Sequence, residues 1–491
     1  MLSRSITIQG TQDTDNHFGD RANYGTESGQ NLGVGAHAMF MPGSGQITID
    51  GTRFDKMGQT ATVGRYPVHW HVGGDRTGDI LRNSSITNSN NRGVTIHGTQ
   101  GVLVEGNVLH DIHGHGFFME DAAETNNEFL HNITFGIHKV GGGFAPNDPF
   151  VVPGIIRGGD GKVNGEAPQD GNGESSHDSG QNAPQRFMHS AAYWITNPKN
   201  TWIGNISAGS EGTGFWFALP DEVLGLSRDT GLYDDLNPRV TNLLQFDYNT
   251  AHSGQVGLTF DRGEDISGGP QNNGYAPPQL MQSNFFTGYK NHGTAVYHRG
   301  PDAIFNESRF ADNAFSSFNT FGQQEHNVLF VGHSRGNAEP AITVGGYRLY
   351  DGPGKIVNSH FAGFTSDNAH SFRVEGGANK HTHTTAQGIS FENDGTADRL
   401  GIEIYGNNYI SQDQTPAFIA GRPDAFSGLV FDVDGSLTGH GGGGPGYVLT
   451  PKIDFSRDST DIAPAGWNGY LSDERFAQLR FGRIETADTV E

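Results

Sequence analysis

Leu103-Val104-Glu105-Gly106-Asn107-Val108, then Gly116-Phe117-Phe118-Met119, is one turn of a pattern that recurs along this chain. An apolar strand runs into an Asn, and a second strand opens on a Gly nine residues after that Asn. The same nine residues separate Asn205 from Gly214, which opens Gly214-Phe215-Trp216-Phe217, and Asn284 from Gly293. Asn306 precedes Phe315 by nine, and Asn83 precedes Gly93 by ten. Short strands returning every ~20–30 residues mark a β-solenoid, in which no strand buries its apolar face until coils stack. An Asn at the turn of each coil is placed to ladder its amide to the next coil and satisfy backbone groups there. The fold class is therefore all-β, a parallel β-helix. A β-sandwich and a β-propeller are the alternatives, and the uneven spacing counts against the propeller.

Three insertions interrupt the repeat, at 141–190, 218–240 and 261–280. They divide the chain into an N-terminal β segment with the first coils (1–60), a β-helix core (61–440) and a C-terminal extension (441–491). Long loops on a solenoid either wall a substrate groove or decorate the surface, and 141–190, rich in Gly, Asn, Asp and Pro, suits both roles.

Composition narrows the function. The chain has 491 residues, 73 of them Gly, with 17% charged and a net charge of −23. That charge disfavours nucleic acid, because phosphate binding needs a basic surface. It also disfavours an anionic membrane surface, and an acidic polysaccharide needs a local basic or metal-lined groove. There is no cysteine, so disulfides and thiolate metal sites are excluded. No run of about 18 apolar residues suggests a membrane span. Met1-Leu2-Ser3-Arg4-Ser5-Ile6 lacks the apolar core of a signal peptide, and strand-like Ile6-Thr7-Ile8 follows at once, as in an excised fragment.

The chemistry concentrates in histidine. Arg65-Tyr66-Pro67-Val68-His69-Trp70-His71 places two imidazoles at i and i+2, on one face of a strand. Val94-Thr95-Ile96-His97 follows about one coil later. Coils aligned on the opening Gly put His97, Glu120, Ala218, Asp261 and Tyr297 at the same offset. His97 and Glu120 then lie on neighbouring rungs, ~4.8 Å apart, with His69 and His71 one rung to the other side. His37 adds a further rung, and His115 and Asp121 flank Glu120. Two or three His with one carboxylate is the ligand set of a catalytic Zn, Mn or Fe ion; Ca is the remaining candidate. The bland alternative is that these side chains cap turns and hold no metal.

Two metal-free readings stand beside this one. Glu120 and Asp121 form a glycosidase acid/base pair only with a partner from another rung, since neighbours on a strand face opposite ways. Lys139, in Gly136-Ile137-His138-Lys139, is placed to take a proton α to a uronate carboxylate if its pKa is depressed. Asp432-Val433-Asp434-Gly435 resembles the start of a Ca²⁺ loop but lacks the closing Glu, and reads as a turn. Trp194, Trp202 and Trp216 suit sugar stacking or coil packing, and packing is expected for at least two of them.

With these motifs in place, the chain resembles the β-helical region of the hyaluronan-depolymerising family that includes the cell migration-inducing and hyaluronan-binding protein and the transmembrane cell-surface hyaluronidase. The resemblance is carried by Gly64-Arg65-Tyr66-Pro67-Val68-His69-Trp70-His71-Val72-Gly73-Gly74-Asp75 and by Gly114-His115-Gly116-Phe117-Phe118-Met119-Glu120-Asp121. Further on, Ala208-Gly209-Ser210-Glu211-Gly212-Thr213-Gly214-Phe215-Trp216-Phe217 and Phe431-Asp432-Val433-Asp434-Gly435-Ser436 continue it, over roughly residues 2 to 480. It implies a right-handed β-helix acting on a polysaccharide, extracellular or at the cell surface, by hydrolysis or β-elimination of hyaluronan-like or other uronate-containing glycans. A carbohydrate-binding or adhesion module without turnover is the alternative. Candidate catalytic residues are Glu120, Asp121, Lys139 and His115; candidate substrate contacts are Arg65, Trp216, His252 and Arg299. Candidate ligands of a divalent ion are His37, His69, His71 and His97. The absent cysteines of the animal members suggest a bacterial relative, and the family's preceding glycine-repeat domain is expected to be missing or cut short.

Overall fold

In the computed structural model the chain winds through three β-sheets in strict rotation. The structure describes residues 6–10, 35–59, 64–138, 190–261, 274–300, 303–320, 322–337, 345–351, 353–364, 369–375, 383–392, 402–405, 429–439, 447–450 and 470–472. Sheet 1 has 12 strands, from Ile6–Gln9 to Ser390–Phe391. Sheet 2 also has 12, from Ala38–Phe40 to Ile402–Tyr405, and sheet 3 has 14, from Thr48–Asp50 to Tyr470–Ser472. Up to the strand Leu429–Asp432, neighbours within a sheet are three strands apart in chain order, so each coil contributes one strand to each sheet. Pairing is parallel throughout except at the C-terminal end of sheet 3. There Leu429–Asp432, Tyr447–Thr450 and Tyr470–Ser472 run antiparallel. The parallel β-helix expected from the repeat is the architecture found.

Strand alternation fills the interior. Sheet 2 turns Val68 and Trp70, Val94 and Ile96, Phe117 and Met119, and Tyr193 and Ile195 inward, all fully buried. Equivalent side chains then stack coil on coil: Phe129 on Trp202 (4.0 Å, 6°) and Phe217 on Phe260 (4.1 Å, 10°). Trp202 is therefore core. Each such ring removes a large apolar surface from water, worth roughly 1.5–3 kcal/mol per side chain.

The turn from sheet 3 to sheet 1 repeats one conformation. From Gly51 to Gly388, every described coil places one residue there with φ between 49° and 68°, and His131, Tyr248 and Phe285 occupy it as well as Gly and Asn. The next position carries the amide ladder. Asn107 Nδ2, Asn132 Nδ2 and Asn205 Nδ2 donate to Oδ1 of Asn132, Asn205 and Asn249 at 3.0–3.1 Å. Each also donates to a backbone carbonyl of the preceding coil, as Asn205 does to Phe129 O (2.8 Å). Asn107 and Asn205 thus fill the role expected of them. Asn83 instead occupies the left-handed turn position, one residue earlier, which is why its spacing is ten. Asn284 and Asn306 belong to a second, outer column, in which Asn306 Nδ2 donates to Asn284 Oδ1 (3.3 Å).

The insertion at 218–240 lies between a sheet 2 strand and a sheet 3 strand, and includes the short helix Gly225–Asp229. Most of 141–190 and of 261–280 lies outside the described residues. No helix among the described residues is long and apolar enough to cross a membrane.

Candidate metal centre

The outer face of sheet 2 gathers the histidines. On the strand Val68–Asp75, His69 and His71 alternate with inward-facing Val68 and Trp70. His71 pairs in register with His97 of the strand Val94–Gln100. Glu120 follows the strand Phe117–Met119, and its amide donates to Ile96 O (3.1 Å), which seats it one rung beyond His97. One ring nitrogen from each of His69, His71 and His97 lies within 4.8 Å of the others. Glu120 Oε2 is 3.4 Å from His97 Nδ1 and 3.9 Å from His69 Nε2.

Hydrogen bonds behind the rings aim them. A carbonyl only accepts, so His69 Nδ1, 3.1 Å from Gly64 O, carries the proton and leaves Nε2 as the lone pair facing the cluster. His69 Nε2 is buried and has no hydrogen-bond partner among the described residues. His97 Nε2 donates to Asp121 Oδ2 (2.7 Å), which turns Nδ1 toward His71 Nδ1, 3.1 Å away. This is the arrangement by which an outer carboxylate or carbonyl orients a metal-bound imidazole. Three imidazoles and a carboxylate, one of the nitrogens buried without a partner, fit a divalent ion of borderline character.

Electrostatics point the same way. Burial pushes His69 well below its ordinary pKa, with His97 and His71 adding to the effect. Burial also lowers His71, again with help from His97. His97 is the exception: burial opposes its charge, but Glu120, Asp121 and Glu124 outweigh that and lift its pKa to about 9. A position that holds a proton so firmly is one where positive charge is favoured, and a metal ion competes with that proton for the same lone pair.

A second layer holds the ligand strands. Asp121 Oδ2 also accepts from Ser227 N (2.8 Å), and Asp121 O accepts from Leu224 N (2.8 Å). The insertion at 218–240 is thereby strapped onto the carboxylate that orients His97. Gly225 makes this possible: a Cβ there would stand 2.0 Å from Asp121 Oδ1, and its φ is +56°. Glu124, fully buried, accepts from Gly98 N (2.7 Å) and Asp121 N (3.0 Å) through one oxygen, bridging the amides that follow His97 and Glu120. Burial, reinforced by Asp121, raises its pKa to about 7.

Not every candidate converges. His37 accepts from Arg65 Nη1 (2.9 Å) at the surface and is not among the three clustered imidazoles. His115 Nδ1 accepts from Ala191 N (2.9 Å), and its ring stacks on Phe118 (5.3 Å, 7°). Trp216 is buried with Phe118, Trp194 and Leu224, and donates through Nε1 to Asp261 O (3.2 Å). Arg299 pairs with Asp261 (3.6 Å), four rungs from Glu120 and so ~19 Å along the axis. His252 sits on sheet 1, stacked on Tyr289. Lys139 lies outside the described residues.

Two expectations need correction. Tyr297 shares a column with Thr259, and Arg299 is the residue level with Asp261; the alignment on Gly293 was two residues out. Glu120 and Asp121 also do not diverge. The strand ends at Met119, and the turn through Ala122 (φ 67°) lets both carboxylates reach His97. Glu124 and Ser227 went unrecognised because each acts through backbone amides distant in sequence. Arg92 did too, buried with its guanidinium 3.8 Å above Phe118 and donating to Tyr66 Oη (2.7 Å).

Residues 33–258, which include all four candidate ligands, match the family model described as CEMIP beta-helix. This stretch is similar to the CEMIP β-helix. The homology is distant but extends further. The human cell migration-inducing and hyaluronan-binding protein is 27% identical over 99% of this chain and 38% of its own length. Human cell surface hyaluronidase CEMIP2 is 25% identical over 98% of this chain and 37% of its own. Communication mutant protein F of Dictyostelium discoideum is 27% identical over 67% of this chain and 27% of its own. The chain therefore spans under two fifths of the length of these curated relatives. Among solved structures, the A-module of Azotobacter vinelandii mannuronan C-5 epimerase AlgE4 aligns over 72% of this chain and 85% of its own, at 8% identity and a TM-score of 0.32.

Proposed function

We propose that the chain is a metal-assisted, glycan-depolymerising enzyme acting outside the cell on uronate-containing polymers. The observation that carries this reading is the cluster of His69, His71 and His97 beside Glu120, with the rings of His69 and His97 oriented from behind. The relatives' printed names supply the substrate class, since one is called a hyaluronidase and another hyaluronan-binding. His69, His71, His97 and Glu120 would hold the ion, and His37, which accepts from Arg65 and is not among the clustered imidazoles, is left out of the set. A bound divalent ion supplies a low-pKa water or polarises a sugar carboxylate. Asp121 holds His97 in the ligating tautomer. Substrate enters from the side of His71, the half-exposed member of the three. Arg65, exposed on the segment that leads into the His69 strand, is the candidate cation for contact with an acidic glycan.

The test is metal content by elemental mass spectrometry, parent against a His69→Ala/His97→Ala double variant, with polymer chain length followed alongside. Near-stoichiometric metal and chain shortening, both lost in the variant, are expected. Unsaturated product ends identify β-elimination, and their absence identifies hydrolysis. A parent that takes up neither Zn, Mn, Fe nor Ca overturns the metal reading. Binding without shortening favours the second reading, a glycan-binding solenoid, which the name hyaluronan-binding supports.

A further inference from the structure

On the outer face of sheet 1, away from the histidine cluster, five coils present His110, Phe135, Ala208, His252 and Tyr289 in one register column. His110 stacks on Phe135 (4.3 Å, 29°), and His252 stacks on Tyr289 (4.5 Å, 14°). Between the two stacks the column is interrupted by a single small residue, Ala208. Successive rungs are ~4.8 Å apart, so the facing rings of Phe135 and His252 stand about 9–10 Å from each other across that methyl group. A single ring inserted between them lies ~4.8 Å from each, within the 4.5–7 Å range of stacked rings. Phe135, Ala208 and His252 are each partly exposed. The slot is one ring thick, floored by Ala208 and walled by two aromatic faces.

Its end is polar. Phe135 and Ala208 are followed by Gly136 and Gly209, both with positive φ, and a Cβ on Gly209 would meet nothing closer than Gly136 N at 4.0 Å. His252 is followed by Ser253, whose hydroxyl lies 3.1 Å from His252 Nδ1. An occupant thus meets two aromatic faces and, at one edge, open backbone, the Ser253 hydroxyl and the His138 imidazole, whose Nε2 a Cβ on Gly136 would meet at 3.5 Å. A pyranose ring has that character, with flat C–H faces and a rim of hydroxyls. An aromatic side chain would leave the polar end unused.

We propose that Phe135, Ala208 and His252 form a saccharide-binding slot, separate from the metal cluster, that takes one pyranose ring of a glycan and anchors the polymer to sheet 1. The proposal rests on the glycan reading above for its ligand class and on the missing rung for its shape. It is tested by filling the slot. Ala208→Phe completes a continuous stack from His110 to Tyr289, and His252→Ala removes one wall. Hyaluronan and chitin hexasaccharides are titrated calorimetrically into the parent, both variants and the His69→Ala/His97→Ala variant.

The slot predicts binding weakened by about tenfold or more in A208F and H252A, and a binding component that persists in the histidine double variant and is lost when A208F is added to it. Parent-like binding in A208F, with far-UV circular dichroism intact, overturns the slot, as does a parent that binds neither oligosaccharide. If chain shortening and metal persist in those cases, the metal-site reading stands without the slot; if binding is lost only in the double variant, the glycan is held at the metal cluster alone. Sedimentation of the parent as a dimer that A208F dissociates would assign the slot to a side chain of a second copy, and overturn it as a sugar site.

Discussion

Asp121 accepts from an imidazole on one side and from a strap amide on the other, so one carboxylate ties the geometry of the histidine cluster to the insertion at 218–240. Asp121→Asn keeps the shape but loses the charge that fixes the His97 tautomer. Metal affinity measured by chelator competition is expected to fall about 10–100-fold, the usual cost of losing an outer partner of a ligating His. His298 yields a prediction of a different kind. It lies in the core against Phe260 (5.4 Å), and burial pushes its pKa down to about 3. Above the unfolded value of ~6.5 both states are neutral and His298 adds no pH dependence. As pH falls from there toward 3, the unfolded chain binds a proton that the folded chain refuses. Stability then drops by up to roughly 1.4 kcal/mol per pH unit from this residue. Urea midpoints at pH 4 and pH 7 should therefore lie closer together in His298→Phe than in the parent; an unchanged gap would show that His298 does not set the acid limb.

At the scale of the element, the amide ladder is the part of the fold most exposed to a single change. Asn205 Oδ1 accepts from the amide and side chain of Asn132, while its Nδ2 satisfies Phe129 O. Asn205→Ala strands those groups where water does not reach, at roughly 1–3 kcal/mol for each one left unsatisfied. A lowered urea midpoint with unchanged slope is the expected signature. Part of this ladder was legible in sequence, at Asn107 and Asn205, each followed by a Gly at nine residues, and so was the face on which each strand's side chains lie. The column within that face was less so. Slipping a strand by two residues keeps every side chain on its own side, which is why Gly293 looked equivalent to Gly257 although Ala295 holds that place. The histidine cluster was readable because His69, His71 and His97 sit on regular strands one coil apart. Glu124 was not, since its partners are backbone amides that no residue pattern records. His252 was singled out from its motif alone, and only the register shows that it faces away on another sheet.

Across the whole molecule, a net charge of −23 opposes the approach of any polyanionic glycan. Association with hyaluronan fragments should accelerate as salt rises from ~10 mM to ~150 mM and the Debye length shrinks from about 30 to 8 Å. A neutral chitin fragment should show no such trend. Stopped-flow rates for the two ligands check this, and a rate that falls with salt would mean that a local basic groove outweighs the mean field. A solenoid in which each coil leans only on its neighbours also has an order in time. All four candidate ligands, with Asp121 and Glu124, precede residue 125, whereas the Leu224–Ser227 strap comes a hundred residues later. On the ribosome the growing chain reaches the imidazoles first and the strap several seconds afterwards, at roughly 5–20 residues per second. Under the proposed metal reading, an ion meets the imidazoles before the strap amides reach Asp121, so the ions of the compartment of synthesis are the first to compete for the cluster.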